Sequence, residues 1–173
     1  MLADVAEDGD RPLYRAAMAV QRRLMLHLVP YDRTYLDLSY TWLSDPETKA
    51  LTMTPDFTRE DQQAFFAGLA NRTDYRLWGV ETDDEGPVGA AGIKRIADSS
   101  GEYWGYLGDK QLWGRGLGRH LVAAVEDKAR RLGLSRLYLN VAKDNPRATS
   151  LYRRMGYAEA GSADDVLCME KTL

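Results

Sequence analysis

The stretch "WGRGLGRHLV", Trp113 to Val122, places glycines at 114, 116 and 118 and then turns apolar. Glycine weakens a helix, so three of them at a helix start need another reason. The first N–H groups of a helix have no internal partner, and the helix dipole is positive there. Bare backbone lets an anion reach those groups without meeting a Cβ, and a diphosphate is the natural guest. A tight strand-to-helix turn with no ligand would use the same glycines. Two common nucleotide motifs fail on spacing. The dinucleotide fingerprint needs a glycine where Arg119 stands, and no Walker lysine follows.

A second stretch narrows the reading. "NVAKDNPRATSLYRRMGYAEAG" holds Asn145, Ala148, Leu151, Tyr152, Gly156 and Tyr157. These match an Asn-x-x-Ala-x-x-Leu-Tyr-x-x-x-Gly-Phe/Tyr block of the GNAT superfamily of N-acetyltransferases. Gly116 and Gly118 match that family's Arg/Gln-x-x-Gly-x-Gly/Ala loop. Trp113 stands where Arg or Gln is usual, which resembles the subgroup of ribosomal-protein alanine, polyamine and amino-sugar acetyltransferases. "EYWGYLGDK" and the ending "CMEKTL" echo the same subgroup. The resemblance is strong over residues 88–173 and rests on element order alone over 23–87.

The resemblance implies acetyl transfer from acetyl-CoA to a primary amine, with no metal. That chemistry has three needs. An amine of pKa near 10 must lose its proton, at a cost of about 4 kcal/mol at pH 7. The thioester carbonyl needs donors toward its oxygen. The leaving thiolate needs a proton. By spacing, Tyr152 is a core tyrosine on an apolar helical stripe; the resemblance makes it the acid. Glu102 begins the strand that leads to the glycine loop and is the candidate base. An exposed strand glutamate is the competing reading. The resemblance also implies that Leu107 and Gly108 offer backbone groups to pantetheine, and that Trp113, Gly114, Arg115, Gly116, Leu117, Gly118 and Arg119 form the phosphate loop. Asn145 faces the pantetheine arm or simply caps a helix. Arg147 joins Arg115 and Arg119 as a phosphate partner or stays a solvated arginine. His27 and His120 have no partner in sequence, and no Cys/His cluster has metal spacing.

These groups need positioning elements. Strands are predicted over 23–29, 75–81, 88–96, 102–108, 135–142 and 165–173. Helices are predicted over 33–44, 58–70, 116–132 and 145–157, with Thr58 and Asn145 as caps and Gly133 and Gly156 as stops. "SDPET" breaks the first of them. The fold expected is one α/β domain over residues 12–173. Its twisted mixed sheet has an antiparallel N-terminal half, splayed parallel strands 102–108 and 135–142 at the cofactor, and flanking helices. Residues 1–11, with Asp4, Glu7, Asp8 and Asp10, read as a disordered acidic tail, and 12–22 as weakly helical.

The 173 residues suit one domain, and a net charge of −3 argues against a nucleic-acid partner. One cysteine, Cys168, excludes an internal disulfide. The acidic start is wrong for a signal peptide, and no apolar run reaches membrane-spanning length. The reading is a cytoplasmic protein without a membrane partner, for which a homodimer is one assembly. The acceptor expected is a small amine such as an amino sugar. A polyamine or a protein N-terminus is the enzyme alternative, and a non-catalytic acyl-CoA-binding module the alternative of another class. Selectivity is expected mostly from residues 30–75 and the last strands; in the first of these, Tyr31, Tyr35, Tyr40, Trp42, Met53, Phe57, Phe65 and Phe66 stand among Asp32, Asp37, Asp45 and Asp56. Lys49 and Arg59 are the cations that could meet a nucleotide-linked sugar there.

Overall fold

A computed structural model describes residues 25–173. The expected tail and the helical segment 12–22 lie outside the described residues.

Strand β1 (Leu26–Pro30) leads into α1 (Arg33–Ser44), opened by the Asp32 carboxylate accepting from the N–H of Thr34 at 2.9 Å. Asp45 and Pro46 end α1 and at once start a short helix α2 (Pro46–Leu51). The sequence reading took these residues as a breaker only. They are also a start signal, because Asp45 accepts from the N–H of Thr48 and proline suits the first helical turn. Helix α3 (Arg59–Gly68) begins with a reciprocal capping box between Thr58 and Asp61.

Strands β2 (Arg76–Thr82), β3 (Gly86–Ala97) and β4 (Ser100–Leu107) form an antiparallel meander with β1. The turn between β3 and β4 is tighter than expected. Asp98 and Ser99 both take positive φ (48° and 60°), the geometry that two-residue hairpins favour. Glu102 is therefore the third residue of β4, not its start.

Helix α4 (Leu117–Arg131), β5 (Arg136–Ala142), α5 (Pro146–Arg154) and two final strands, β6 (Ala158–Ala163) and β7 (Val166–Thr172), complete the domain. The sequence reading missed β6, whose six residues are all exposed and carry no alternation. Among the described residues the sheet has seven strands, in the order β1-β2-β3-β4-β5-β7-β6. Its one parallel contact, β4 with β5, pairs only Ser100–Glu102 with Arg136–Tyr138. Beyond Glu102 the two strands separate.

The core lies between α4 and the sheet. Leu117, Leu121, Val122, Val125 and Ala129 of α4 are buried with Ile93, Leu137, Leu139 and Met169 from the strands. Helix α1 covers the other face, and glycines make that contact possible. The Tyr35 ring lies against Gly79 of β2, and the Trp42 ring against Gly108 at the end of β4. A Cβ at either position would fall inside the ring.

Gly108→Ala is therefore expected to displace Trp42 and cost about 1–3 kcal/mol, the range for overpacking. Urea unfolding at unchanged m-value checks this.

Candidate active site

The gap between β4 and β5 opens into a cavity of about 1030 Å³. One end is the glycine loop. Gly114 and Gly116 hold left-handed backbone (φ 78° and 84°), and a Cβ on either would meet no protein atom within 4 Å. Helix α4 starts without a side-chain cap. Its first N–H groups therefore sit beside open space, the arrangement that receives an anion. Gly118 faces Leu151 of α5, where a Cβ would come within 3.0 Å. Leu117 and Arg119 also line this end, with Asn145 and Arg147 from the start of α5. Asn145 acts as the cap of α5, accepting from the N–H of Ala148 at 3.1 Å.

Trp113 holds the loop to the sheet. Its indole N–H donates to the Leu107 carbonyl at 2.8 Å, and Arg147 stands 5.4 Å from its ring centre. The bond occupies one of the two acceptor positions of the Leu107 carbonyl, and Leu107 lines the cavity. Gly108 lies off the cavity wall, and its N–H donates to Val88 at 2.8 Å. Arg115 is exposed and also off the wall.

Tyr152 reaches the cavity from α5, beside Tyr103 of β4 and Tyr157 (ring centres 6.0 and 5.8 Å away). Burial pushes its phenol up to about 12, although the Tyr103 hydroxyl, donating to it, pulls the other way. Tyr152 thus keeps its proton through the neutral range, and its own O–H remains a donor. Sequence spacing could not find Tyr103, because the contact spans a strand and a helix far apart in the chain.

Glu102 is buried, with 4% of its surface exposed, and does not line the cavity. Its carboxylate pairs with Arg95 and with Lys94 (3.3 Å), and accepts from Asn140 Nδ2 at 3.2 Å. Lys94 and Asn140 do line the cavity and stand between Glu102 and its interior. The exposed-glutamate reading is overturned: the carboxylate is buried and engaged by Arg95, Lys94 and Asn140. Neither Lys94 nor Asn140 carried a sequence signal.

The wall away from the glycine loop is aromatic, with Phe57, Phe65, Tyr75, Trp104 and Tyr106. The Tyr31 and Tyr106 hydroxyls lie 2.9 Å from Ser39 Oγ, and burial raises both phenols. His27 pairs with Asp83 at the surface, and neither His27 nor His120 lines the cavity. Among the described residues no group of three or more His, Cys, Asp or Glu could hold a metal ion.

The profile of the acetyltransferase (GNAT) family matches residues 36–157, more than half of the chain. The match spans α1, the glycine loop, both diverging strands and Tyr152. The uncharacterized protein MJ1062 of Methanocaldococcus jannaschii is 22% identical over 98 residues, which are 57% of this chain and 20% of that protein. The chain thus spans about a fifth of the curated relative it matches. Among solved structures, a Methanocaldococcus jannaschii domain aligns with TM-score 0.76 and 17% identity, over 86% of this chain and 99% of that one. Spermidine N-acetyltransferase from Vibrio cholerae, in complex with CoA and spermine, aligns with TM-score 0.78 and 21% identity, over 85% and 95%. At these identities the solved structures establish the fold. Among the described residues no helix is long and apolar enough to cross a membrane.

Trp113→Phe keeps the ring and deletes the donor to Leu107. The expected loss is about 1 kcal/mol of stability, with faster amide exchange over residues 113–118. Denaturant titration and hydrogen exchange measure the two effects.

Proposed function

The chain belongs to the acetyltransferase (GNAT) family, and on that premise we propose that it transfers an acetyl group from acetyl-CoA to the primary amine of a small molecule. One observation carries this reading. The uncapped glycine-lined start of α4 and the Tyr152 hydroxyl open into the same cavity, at the divergence of β4 and β5.

The residues fit the ligand. Gly114, Gly116 and Gly118 leave room for a diphosphate at the N–H groups of α4, with Arg119 and Arg147 beside them. The separated strand edges offer backbone groups of the kind that an extended amide-bearing arm pairs with. Acetyl-CoA supplies the activated thioester. Tyr152 then aims its O–H at the leaving sulfur. With its pKa near 12, outright transfer to a thiolate of ordinary pKa near 8.5 would be uphill by roughly 5 kcal/mol. Its contribution is therefore a hydrogen bond to charge that develops as the bond to sulfur breaks. Tyr103 orients that hydroxyl by donating to its oxygen.

Glu102 acts at one remove. It fixes Lys94 and Asn140 on the cavity wall; the amine proton passes to solvent water, and the sulfur leaves as the thiolate that Tyr152 hydrogen-bonds. The aromatic wall of Phe57, Phe65, Tyr75 and Trp104 suits the body of a compact amine such as an amino sugar.

The first test follows release of free CoA with acetyl-CoA and an amine panel. Tyr152→Phe is expected to lower kcat by about 10- to 100-fold, the worth of a hydrogen bond to a charged group, with affinity for acetyl-CoA retained. Wild-type kcat in that variant would leave Tyr152 a packing residue. The second test reads the pH profile. Glu102→Gln is expected to leave the acidic limb of kcat/KM where it was. A flattened or displaced limb would make Glu102 the base.

A further inference from the structure

We infer that the acceptor amine also carries an anionic group, a carboxylate or a phosphate, which Lys94 meets inside the cavity; the inference rests on the acetyltransferase reading above.

Charge accounting on the cavity wall comes first. The carboxylates expected to face the acceptor are committed elsewhere. Asp32 caps α1, Asp37 pairs with Arg59 (3.3 Å), Asp45 caps α2 and takes Lys110 (2.7 Å), and Asp56 takes Lys49. Lys49 and Arg59 are spent in the same pairs. Among the described residues lining the cavity, Asp61 is the one carboxylate, and it is engaged in the Thr58 capping box. Four cations line it: Lys94, Arg119, Arg147 and Arg154. Arg119 and Arg147 sit at the glycine-loop end, on α4 and at the start of α5, while Arg154 is the last residue of α5. Among the described residues lining the cavity, Lys94 is the cation that stands on the sheet, and Trp104 and Tyr75 line the same cavity.

The backbone around Lys94 is built for this. The β3–β4 register shifts after Lys94, and Arg95 takes a left-handed φ of 53°, unusual for a residue with a side chain. The irregularity brings two consecutive cations onto one buried carboxylate. Glu102 can neutralise only one of them, so the trio keeps a net charge of +1. Asn140 donates to the same carboxylate and holds it in place. Lys94 is 35% exposed and opens toward the cavity.

A polyamine would bring further ammonium groups beside this excess cation, with no uncommitted carboxylate among the described wall residues to receive them. An amine with an anionic handle gains a charge-assisted contact instead, and its apolar body meets Phe57, Phe65, Tyr75 and Trp104.

The experiment first saturates the protein with CoA, which fills the glycine loop. Failure of CoA to bind would overturn the acetyltransferase reading and not the anion subsite alone. Inorganic phosphate is then titrated and followed by NMR at the Asn140 side-chain amide and the Trp104 indole. A saturable shift is expected in the wild type and in Lys94→Arg, and not in Lys94→Met. No saturable shift, or the same shift in Lys94→Met, overturns the inference. Turnover of matched pairs adds the source of the anion: glucosamine 6-phosphate against glucosamine, and tyrosine against tyramine. At least one anionic member is expected to exceed its neutral partner at least tenfold in kcat/KM, with the ratio collapsing in Lys94→Met. Which pair shows the gap distinguishes phosphate from carboxylate. Spermidine as the best acceptor, or a ratio that survives Lys94→Met, overturns the inference.

Discussion

The divergence of β4 from β5 after Glu102 and Tyr138 is the constraint on which the other features depend. Each strand is tied on its outer side along its length, β4 to β3 and β5 to β7. The inner edges cannot close without breaking one of those ladders. Below the gap, the Tyr103, Tyr152 and Tyr157 rings and the apolar stripe of α4 fill the space. Backbone groups on the open edges still need partners, since a buried N–H or C=O left alone is costly. An extended ligand with its own amides is the partner that such edges fit. The glycine loop and Tyr152 are useful only because they open onto that gap.

The α1–α2 segment is fixed to the glycine loop by contacts at the end of β4. Trp42 lies on Gly108, and Lys110 reaches from the loop to Asp45 (2.7 Å) and Glu47 (2.9 Å) on the α1–α2 segment. The Lys110 ammonium holds the Asp45 carboxyl down at about 2. These pairs are exposed, so they set geometry more than stability. Their position matters because Trp113 and Lys110 belong to one short loop: one side chain pins the loop to the strand, and the other ties it to α1 and α2.

What could be read from the sequence follows the range of each interaction. The glycine turn at 114–118 and the Asn145 cap act within a few residues, so the loop-to-helix start and the cap were legible. The helical stripe of α4 was legible for the same reason. The splay was expected through family resemblance and not through periodicity. Strand β6 was invisible because "AEAGSA" has neither alternation nor β-branched residues. The Lys94–Arg95–Glu102–Asn140 cluster joins three strands through a distortion that no glycine marks, so no local pattern announces it. The aspartates of the first half looked available for substrate because sequence does not show that caps and ion pairs already hold them.

The central claim is that this cavity takes acetyl-CoA with its diphosphate on the bare backbone at the start of α4. Titration calorimetry with acetyl-CoA on the wild type and on folded Gly116→Val tests it most directly. The account predicts one saturable site in the wild type and at least tenfold weaker binding in the variant, about 1.4 kcal/mol, because the new side chain enters the space left for the diphosphate. No binding by the wild type, or equal affinity in the two proteins, would contradict it.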